Sequence, residues 1–286
     1  MYATNRTFLR IGIVQYDPKV TKIEDNIARV KGFLTKVQPG SLDLLCFPEM
    51  ALTGYVFPTP ADVSPYLEHP KTGVSLQFFQ ETARSLRTFV IAGYPEKLGD
   101  EEERDDHAVG ANSAVVYDPN GAWIGGYRKT NLFEADLPWV KPGTGYACFP
   151  NLSESLQTVF IGHMYGSQSN AERYRLACSM RVGIFCTVSS FTGTRPPFLT
   201  TIQYWIARLL PLWSKDSDAL RPMDEYPASD EHDETIVVIC NRTGLERGSL
   251  FAGCSMVVRC SRSRGTWDIV GLVDSQFEGF RSWVIE

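Results

Sequence analysis

Three short apolar runs in the first third of the chain constrain the fold more than any other feature: residues 9–15 (LRIGIVQ), 42–47 (LDLLCF) and 89–94 (FVIAGY). None alternates cleanly between apolar and polar residues, so each reads as a strand buried on both faces. Between them lie segments at helical spacing. In residues 23–37 the apolar positions are Ile27, Val30, Phe33, Leu34 and Val37, and Pro39-Gly40 stops the helix. Residues 72–86 read as a second helix. Strands alternating with helices in this way form an α/β protein whose sheet is covered by helices. Residues 113–117 and 122–128, joined by Asp118-Pro119-Asn120-Gly121, read as a hairpin that adds antiparallel pairing. Further on, residues 204–213 (YWIARLLPLW) read as a helix, and 235–240 (TIVVIC) and 255–259 (SMVVR) as strands. The acidic run 100–106 and the stretch 215–234 read as solvated loops.

Length allows one large or two ordinary domains. No repeat or low-complexity tract divides the 286 residues. A net charge of −5, a pI near 5.5 and the lack of a basic stripe argue against nucleic acid as a partner. Seven cysteines form no CxxC pair, and the four histidines stand singly, so no metal site is expected. Unpatterned cysteines point to a reducing compartment, the cytoplasm or the nucleus. The N-terminus has no continuous apolar segment of the signal type, and no run reaches membrane-spanning length, so no membrane association is expected.

Two residues stand where α/β sites are usually built. Glu49 follows the strand 42–47 with Pro48 before it, and partial burial there raises a carboxyl toward the range of a general base. Lys129 closes the strand 122–128, where a fixed ammonium stabilises a developing oxyanion. Glu134 is a candidate supporting carboxylate. Taken singly, each also fits an ordinary solvated charge.

Taken together they sit in longer blocks: RIGIVQYDP, LLCFPEMALTGY around Glu49, YRKTNLFEADLPWVKPGTGY around Lys129, and later TIQYWIARLLPLW and VICNRTGLERGSLFAG. These blocks resemble the nitrilase superfamily of carbon–nitrogen hydrolases. Within it, the likeness is to the fungal protein N-terminal asparagine/glutamine amidohydrolases. The resemblance runs continuously over roughly the first half and then in two separate blocks. It implies a single domain, 1–286, built as an α-β-β-α sandwich of four layers, with a Glu–Lys–Cys catalytic set and no cofactor. Glu49 would be the base, Lys129 would hold the oxyanion, and Glu134 would match the superfamily's second glutamate. The implied substrates are polypeptides with N-terminal Asn or Gln, deamidated with release of ammonia, and the implied assembly is a homodimer. A small-amide hydrolase of the same superfamily is the neighbouring alternative.

The resemblance also exposes a gap. The family's nucleophile lies a few dozen residues after the lysine, in a stretch close to GICMDLNP. At that distance this chain reads Gly162-His163-Met164-Tyr165-Gly166-Ser167-Gln168-Ser169, with no cysteine near Met164. Any Met-Tyr pair is encoded ATG-TAY, and reading one nucleotide later gives TGT, a cysteine codon. Synonymous codons for the whole string then spell the family's motif. Residues 161–200 also hold one acidic residue, Glu172, against four arginines. We therefore expect roughly 160–200 to be translated out of the ancestral frame, the sandwich to be disrupted there, and the C-terminal run WDIVGLVDSQFEGFRSWVIE to be truncated or similarly affected. An mRNA that reads through codon 160 in the stated frame, with no alternative isoform, counts against this. Cys178 and Cys186 are the substitute nucleophiles to consider, but Cys186 lies too far beyond Lys129 and Cys178 has no strand before it. Without a nucleophile the chain is an inactive relative.

Overall fold

The structure is a computed structural model and describes residues 8–99, 102, 108–145, 147–150, 152–153, 156, 158–161, 182–186, 190–192, 198–214 and 234–286. The first sheet is built from β1 (Leu9–Gln15), β2 (Leu44–Cys46), β3 (Phe89–Lys97), β4 (Gly110–Tyr117), β5 (Trp123–Arg128) and β15 (Gly279–Ile285), in the order β15-β1-β2-β3-β4-β5. The second contains β6 (Ala147–Pro150), β7 (Thr158–Ile161), β8 (Val182–Cys186), β10 (Glu234–Cys240), β13 (Met256–Ser261) and β14 (Thr266–Leu272), in the order β14-β13-β10-β8-β7-β6. A third, small sheet joins β9 (Ser190–Thr192), β11 (Thr243–Glu246) and β12 (Ser249–Ala252).

Period-two alternation explains why both main sheets bury two faces. From the first sheet, Ile11, Ile13, Leu44, Cys46, Phe89 and Ile91 point inward and meet Val159, Ile161, Ile236, Val238 and Val257 of the second. Their neighbours Val14, Leu45, Phe47, Val90 and Ala92 point outward, against Val30 and Leu34 of α1 (Ile23–Leu34) and Leu76, Phe79 and Ala83 of α3 (Val74–Leu86). On the far side, Val237, Ile239, Met256 and Val258 pack under Trp205, Ile206, Leu209 and Leu212. The result is the four-layer α-β-β-α sandwich expected from the sequence. A short helix, α2 (Pro60–Val63), precedes α3 and is capped by Thr59, whose hydroxyl accepts from the Asp62 amide.

Two expectations need correction. The helix expected at 204–213 is two helices, α4 (Phe198–Arg208) and α5 (Leu210–Trp213), because Pro211 near the start of the second has no N–H and cannot continue the first. The C-terminal run is well ordered into strands: β14 pairs along β13, and β15 pairs with β1 from Leu9↔Ile285 to Gln15↔Gly279, closing the edge of the first sheet. Of 160–200 the described residues include two strands in the second sheet. β7 and β8 pair in parallel, Val159↔Val182 to Ile161↔Ile184, and β8 pairs in parallel with β10. The rest of that segment, with Met164 and Cys178, lies outside the described residues. Among the described residues no helix is long and apolar enough to cross a membrane.

Candidate active site

Glu49 is presented by a tight crossing at the end of β2. The chain passes over Gly93 of β3, with Phe47 N donating to Ile91 O at 2.8 Å, Gly93 N to Pro48 O at 3.2 Å and Ala51 N to Gly93 O at 3.0 Å. A Cβ on Gly93 would stand 2.6 Å from the Glu49 Cα, so only glycine admits this approach. Met50, the next residue, takes a left-handed φ of 48° to turn the chain away. These constraints aim the Glu49 side chain inward, where it is 1% exposed.

Lys129 follows β5 and is fixed through its backbone. Its amide donates to Asn112 O at 2.8 Å and its carbonyl accepts from Gly143 N at 2.9 Å. Its ammonium, 2% exposed, reaches Glu49 Oε2 at 3.2 Å, Asp136 Oδ2 at 2.8 Å and the Tyr55 hydroxyl at 2.9 Å. Asn112 of β4 ties the carboxylates together, its Nδ2 donating to Glu49 Oε2 at 2.9 Å and to Asp136 Oδ1 at 3.0 Å. The Tyr55 hydroxyl donates to Asp136 Oδ1 at 2.9 Å. One buried cation therefore sits between two buried carboxylates, with Asn112 bridging the two and Tyr55 linking the cation to Asp136.

Electrostatics follow from that geometry. Burial by itself would lower the Lys129 ammonium, but the charges of Asp136 and Glu49 and the hydrogen bonds to both hold it above its ordinary value. The Tyr55 phenol is pushed well up, by burial first and then by Asp136 and Glu49, so it remains a proton donor. A permanent ammonium beside a carboxylate base suits the cluster to chemistry in which a proton is removed from a nucleophile while negative charge builds on a substrate oxygen.

Glu49 and Lys129, 80 residues apart in sequence, are thus brought into contact. Glu134 is not. It is exposed, and among the described residues no hydrogen bond or ion pair joins it to Lys129. Asp136, two residues on and 1% exposed, takes that place. The cause is a single helical turn: Asp136 N donates to Phe133 O, and Trp139 N and Val140 N donate to Asp136 O. That turn puts Asp136, Trp139 and Val140 on its buried side and Glu134 on its exposed one. The i, i+3, i+4 spacing of those residues was the signal available in the sequence. Tyr55 and Asn112 gave no comparable signal. The acidic run 100–106 also holds more than a solvated loop, because Glu102 pairs with Arg128, the neighbour of Lys129, at 2.8 Å. β8 ends at Cys186, in register with Cys240 of β10. Of the other described cysteines, Cys46, Cys240, Cys254 and Cys260 are buried and Cys148 is exposed.

Comparison with known proteins agrees with this arrangement. Residues 10–160 match the carbon-nitrogen hydrolase family model, and the match ends where the sequence departs from the expected nucleophile motif. The protein N-terminal amidase of Schizosaccharomyces pombe is 26% identical over 287 aligned residues, covering 90% of this chain and 93% of that one. The protein N-terminal amidase of Saccharomyces cerevisiae is 31% identical over 148 residues, covering 50% of this chain and 31% of that one. A crystal structure of N-terminal amidase with an Asn-Glu peptide superposes with a TM-score of 0.74 at 19% identity, covering 98% of this chain and 99% of that one, a likeness of fold. An amidase from Nesterenkonia superposes with a TM-score of 0.69 at 15% identity. With its family match spanning both Glu49 and Lys129 and its sandwich shared with solved amidases, the chain belongs to the carbon–nitrogen hydrolase family.

Proposed function

We propose that this chain is a single hydrolase domain, 1–286, of the N-terminal amidase type, converting the N-terminal Asn or Gln of a polypeptide to Asp or Glu with release of ammonia. The observation that carries the proposal is the buried contact of 3.2 Å between Glu49 and Lys129. Glu49 takes the proton of a thiol, and the thiolate attacks the side-chain amide carbon. Lys129 holds the resulting oxyanion. The proton on Glu49 passes to the leaving nitrogen, ammonia departs, and a thioester remains. Glu49 then takes a proton from water, which cleaves the thioester to the acid and returns the thiol. Asp136, rather than Glu134, is the second carboxylate beside the lysine. The cytoplasm is the compartment that fits unpatterned cysteines.

The thiol is the open part of this mechanism. Its expected place, Gly162 to Ser169, lies outside the described residues, and that stretch contains no cysteine. The same fact favours a second reading, a chain that keeps the fold, base and clamp and has lost its nucleophile. One experiment separates them: ammonia release from Asn- and Gln-initiated peptides, with free glutamine and an N-carbamyl amino acid as small-amide controls. The hydrolase reading expects release from the peptides, abolished by Glu49→Ala and by thiol alkylation. No release from any substrate establishes the inactive reading, and activity that survives alkylation rules out a cysteine nucleophile.

A further inference from the structure

Tyr55 joins two parts of the chain that the mechanism above leaves unconnected. Its hydroxyl is one of three acceptors around the Lys129 ammonium, beside Glu49 Oε2 and Asp136 Oδ2. An ammonium has three hydrogens, so these contacts match its full set of donors. Two of the acceptors are carboxylates, which draw the ammonium by opposite charge as well as by hydrogen bond, while the phenol offers a hydrogen bond alone. Without the third, neutral contact the ammonium is free to collapse onto the nearer carboxylate, Asp136 at 2.8 Å, and away from Glu49 at 3.2 Å. The phenol also donates to Asp136, which anchors the second side of the triangle.

Tyr55 is itself gripped from the C-terminal half. Glu246 Oε1 accepts from the amides of Tyr55 at 2.8 Å and Val56 at 2.5 Å, across 191 and 190 residues of sequence. Glu246 Oε2 pairs with Arg242 Nη2 at 2.5 Å, and both side chains are buried. The Arg242 guanidinium lies 4.0 Å from the Phe251 ring centroid, and Phe251 meets the Tyr55 ring edge-on at 5.8 Å. The stretch CNRTGLERGSLF, residues 240–251, therefore holds both the backbone of Tyr55, through Glu246, and its ring, through Phe251. Gly54, at φ +82° and with no room for a Cβ against Val20, completes the turn that delivers the phenol.

We propose that Tyr55 is a positioning residue for Lys129, holding the ammonium between Glu49 and Asp136, and that the Arg242–Glu246 pair sets Tyr55 in place. The kinetic part of this inference rests on the hydrolase reading; the placement of Lys129 does not.

The test uses the full chain and the variants Tyr55→Phe, Glu246→Ala and Glu246→Gln. The first readout is hydrogen exchange of the Lys129 ammonium with water, followed by nitrogen-resolved NMR and identified by the signal lost in Lys129→Arg. Tyr55→Phe is expected to speed exchange at Lys129 about tenfold, the equivalent of one hydrogen bond, with other lysines unmoved. Glu246→Ala is expected to do the same through the backbone, and Glu246→Gln, which keeps an oxygen for the two amides, to restore part of the protection. The second readout is kinetic: kcat on an Asn-initiated peptide falls up to about a hundredfold in Tyr55→Phe, while KM stays near its original value. Unchanged exchange at Lys129 in both Tyr55→Phe and Glu246→Ala overturns the proposal, as does a raised KM with kcat intact. If the unaltered chain releases no ammonia but the exchange result holds, the hydrolase reading falls and this one stands.

Discussion

The two main sheets follow nearly the same plan and use their strand ends differently. In the first, β1, β2 and β3 run parallel, flanked by antiparallel β15 and β4; in the second, β7, β8 and β10 run parallel, flanked by antiparallel β6 and β13. Beyond β2 and β5 the first sheet places Glu49 and Lys129, charges that meet each other and Asp136 in a buried cluster. Beyond β10 the second sheet places Asn241, which donates to Gly253 O at 2.7 Å, and Arg242, which pairs with Glu246. The described polar groups of the second sheet thus brace a loop, while those of the first are assembled around a cation. Shared topology does not make shared chemistry; the side chains grafted at strand ends do.

The largest test of this contrast is Glu49→Gln, which keeps the shape and removes the proposed base. A positioned base contributes about 10²–10⁴-fold, so the rate of ammonia release from an Asn-initiated peptide should fall by that much while the fold is retained. A variant that stays active would move the chemistry out of the first sheet. Lys129→Ala comes next and acts on stability as well, because it leaves two carboxylates buried without their cation. Chemical denaturation should show a loss of about 3–5 kcal/mol. A much smaller loss would mean that water reaches the cluster.

Packing offers a like-for-like comparison. Ile11→Ala in the first sheet and Ile239→Ala in the second each remove a fully buried side chain, and each should cost about 2–5 kcal/mol. A clearly lower cost at Ile239 would show that the second sheet is more loosely packed. Gly93→Ala should cost about 1–3 kcal/mol by overpacking and also reduce activity, since the new methyl meets the Glu49 backbone. Glu49→Gln combined with Gly93→Ala should then lose no further activity.

The smallest effect lies at the rim of the first sheet. Arg128 reaches Glu102 at 2.8 Å and Glu96 at 2.6 Å, and its hydrogen bonds, ahead of its charge, lower the Glu102 carboxyl to about 2. A depressed carboxyl contributes stability above its unfolded value, near 4.3, and that contribution fades as pH falls toward about 2. The pair is partly exposed, so Glu102→Gln should lower the thermal midpoint slightly at neutral pH, by less than about 1 kcal/mol in stability, and not at all near pH 2. An equal effect at both pH values would assign Glu102 a packing role.

Local physics wrote the element pattern into the chain. Apolar runs such as LDLLCF and the helical spacing through Leu34 were readable because each follows from nearest-neighbour geometry, and the structure places strands and helices there. Glu49 and Lys129 stood out because each ends such a run. The i, i+3, i+4 spacing of Asp136, Trp139 and Val140 was the local signal for choosing Asp136 over Glu134, and the tertiary structure decided that this side of the turn faces the core. The order of the C-terminal run was missed for a related reason. The strand that closes it, Gly279–Ile285, is recognisable through its partner, β1, on the far side of the sequence.

The amino-acid sequence on its own determined an α/β protein with a carboxylate and an ammonium at two strand ends, since strand period, helix period and turn residues act over a few positions. Only the tertiary structure decided which groups would surround that ammonium. Tyr55 reaches Lys129 across 74 residues of chain and Asp136 across 81, Asn112 reaches Asp136 across 24, and Glu246 reaches Tyr55 across 191. Contacts over such separations carry no local signature, because they come into being when two covered sheets close a common core.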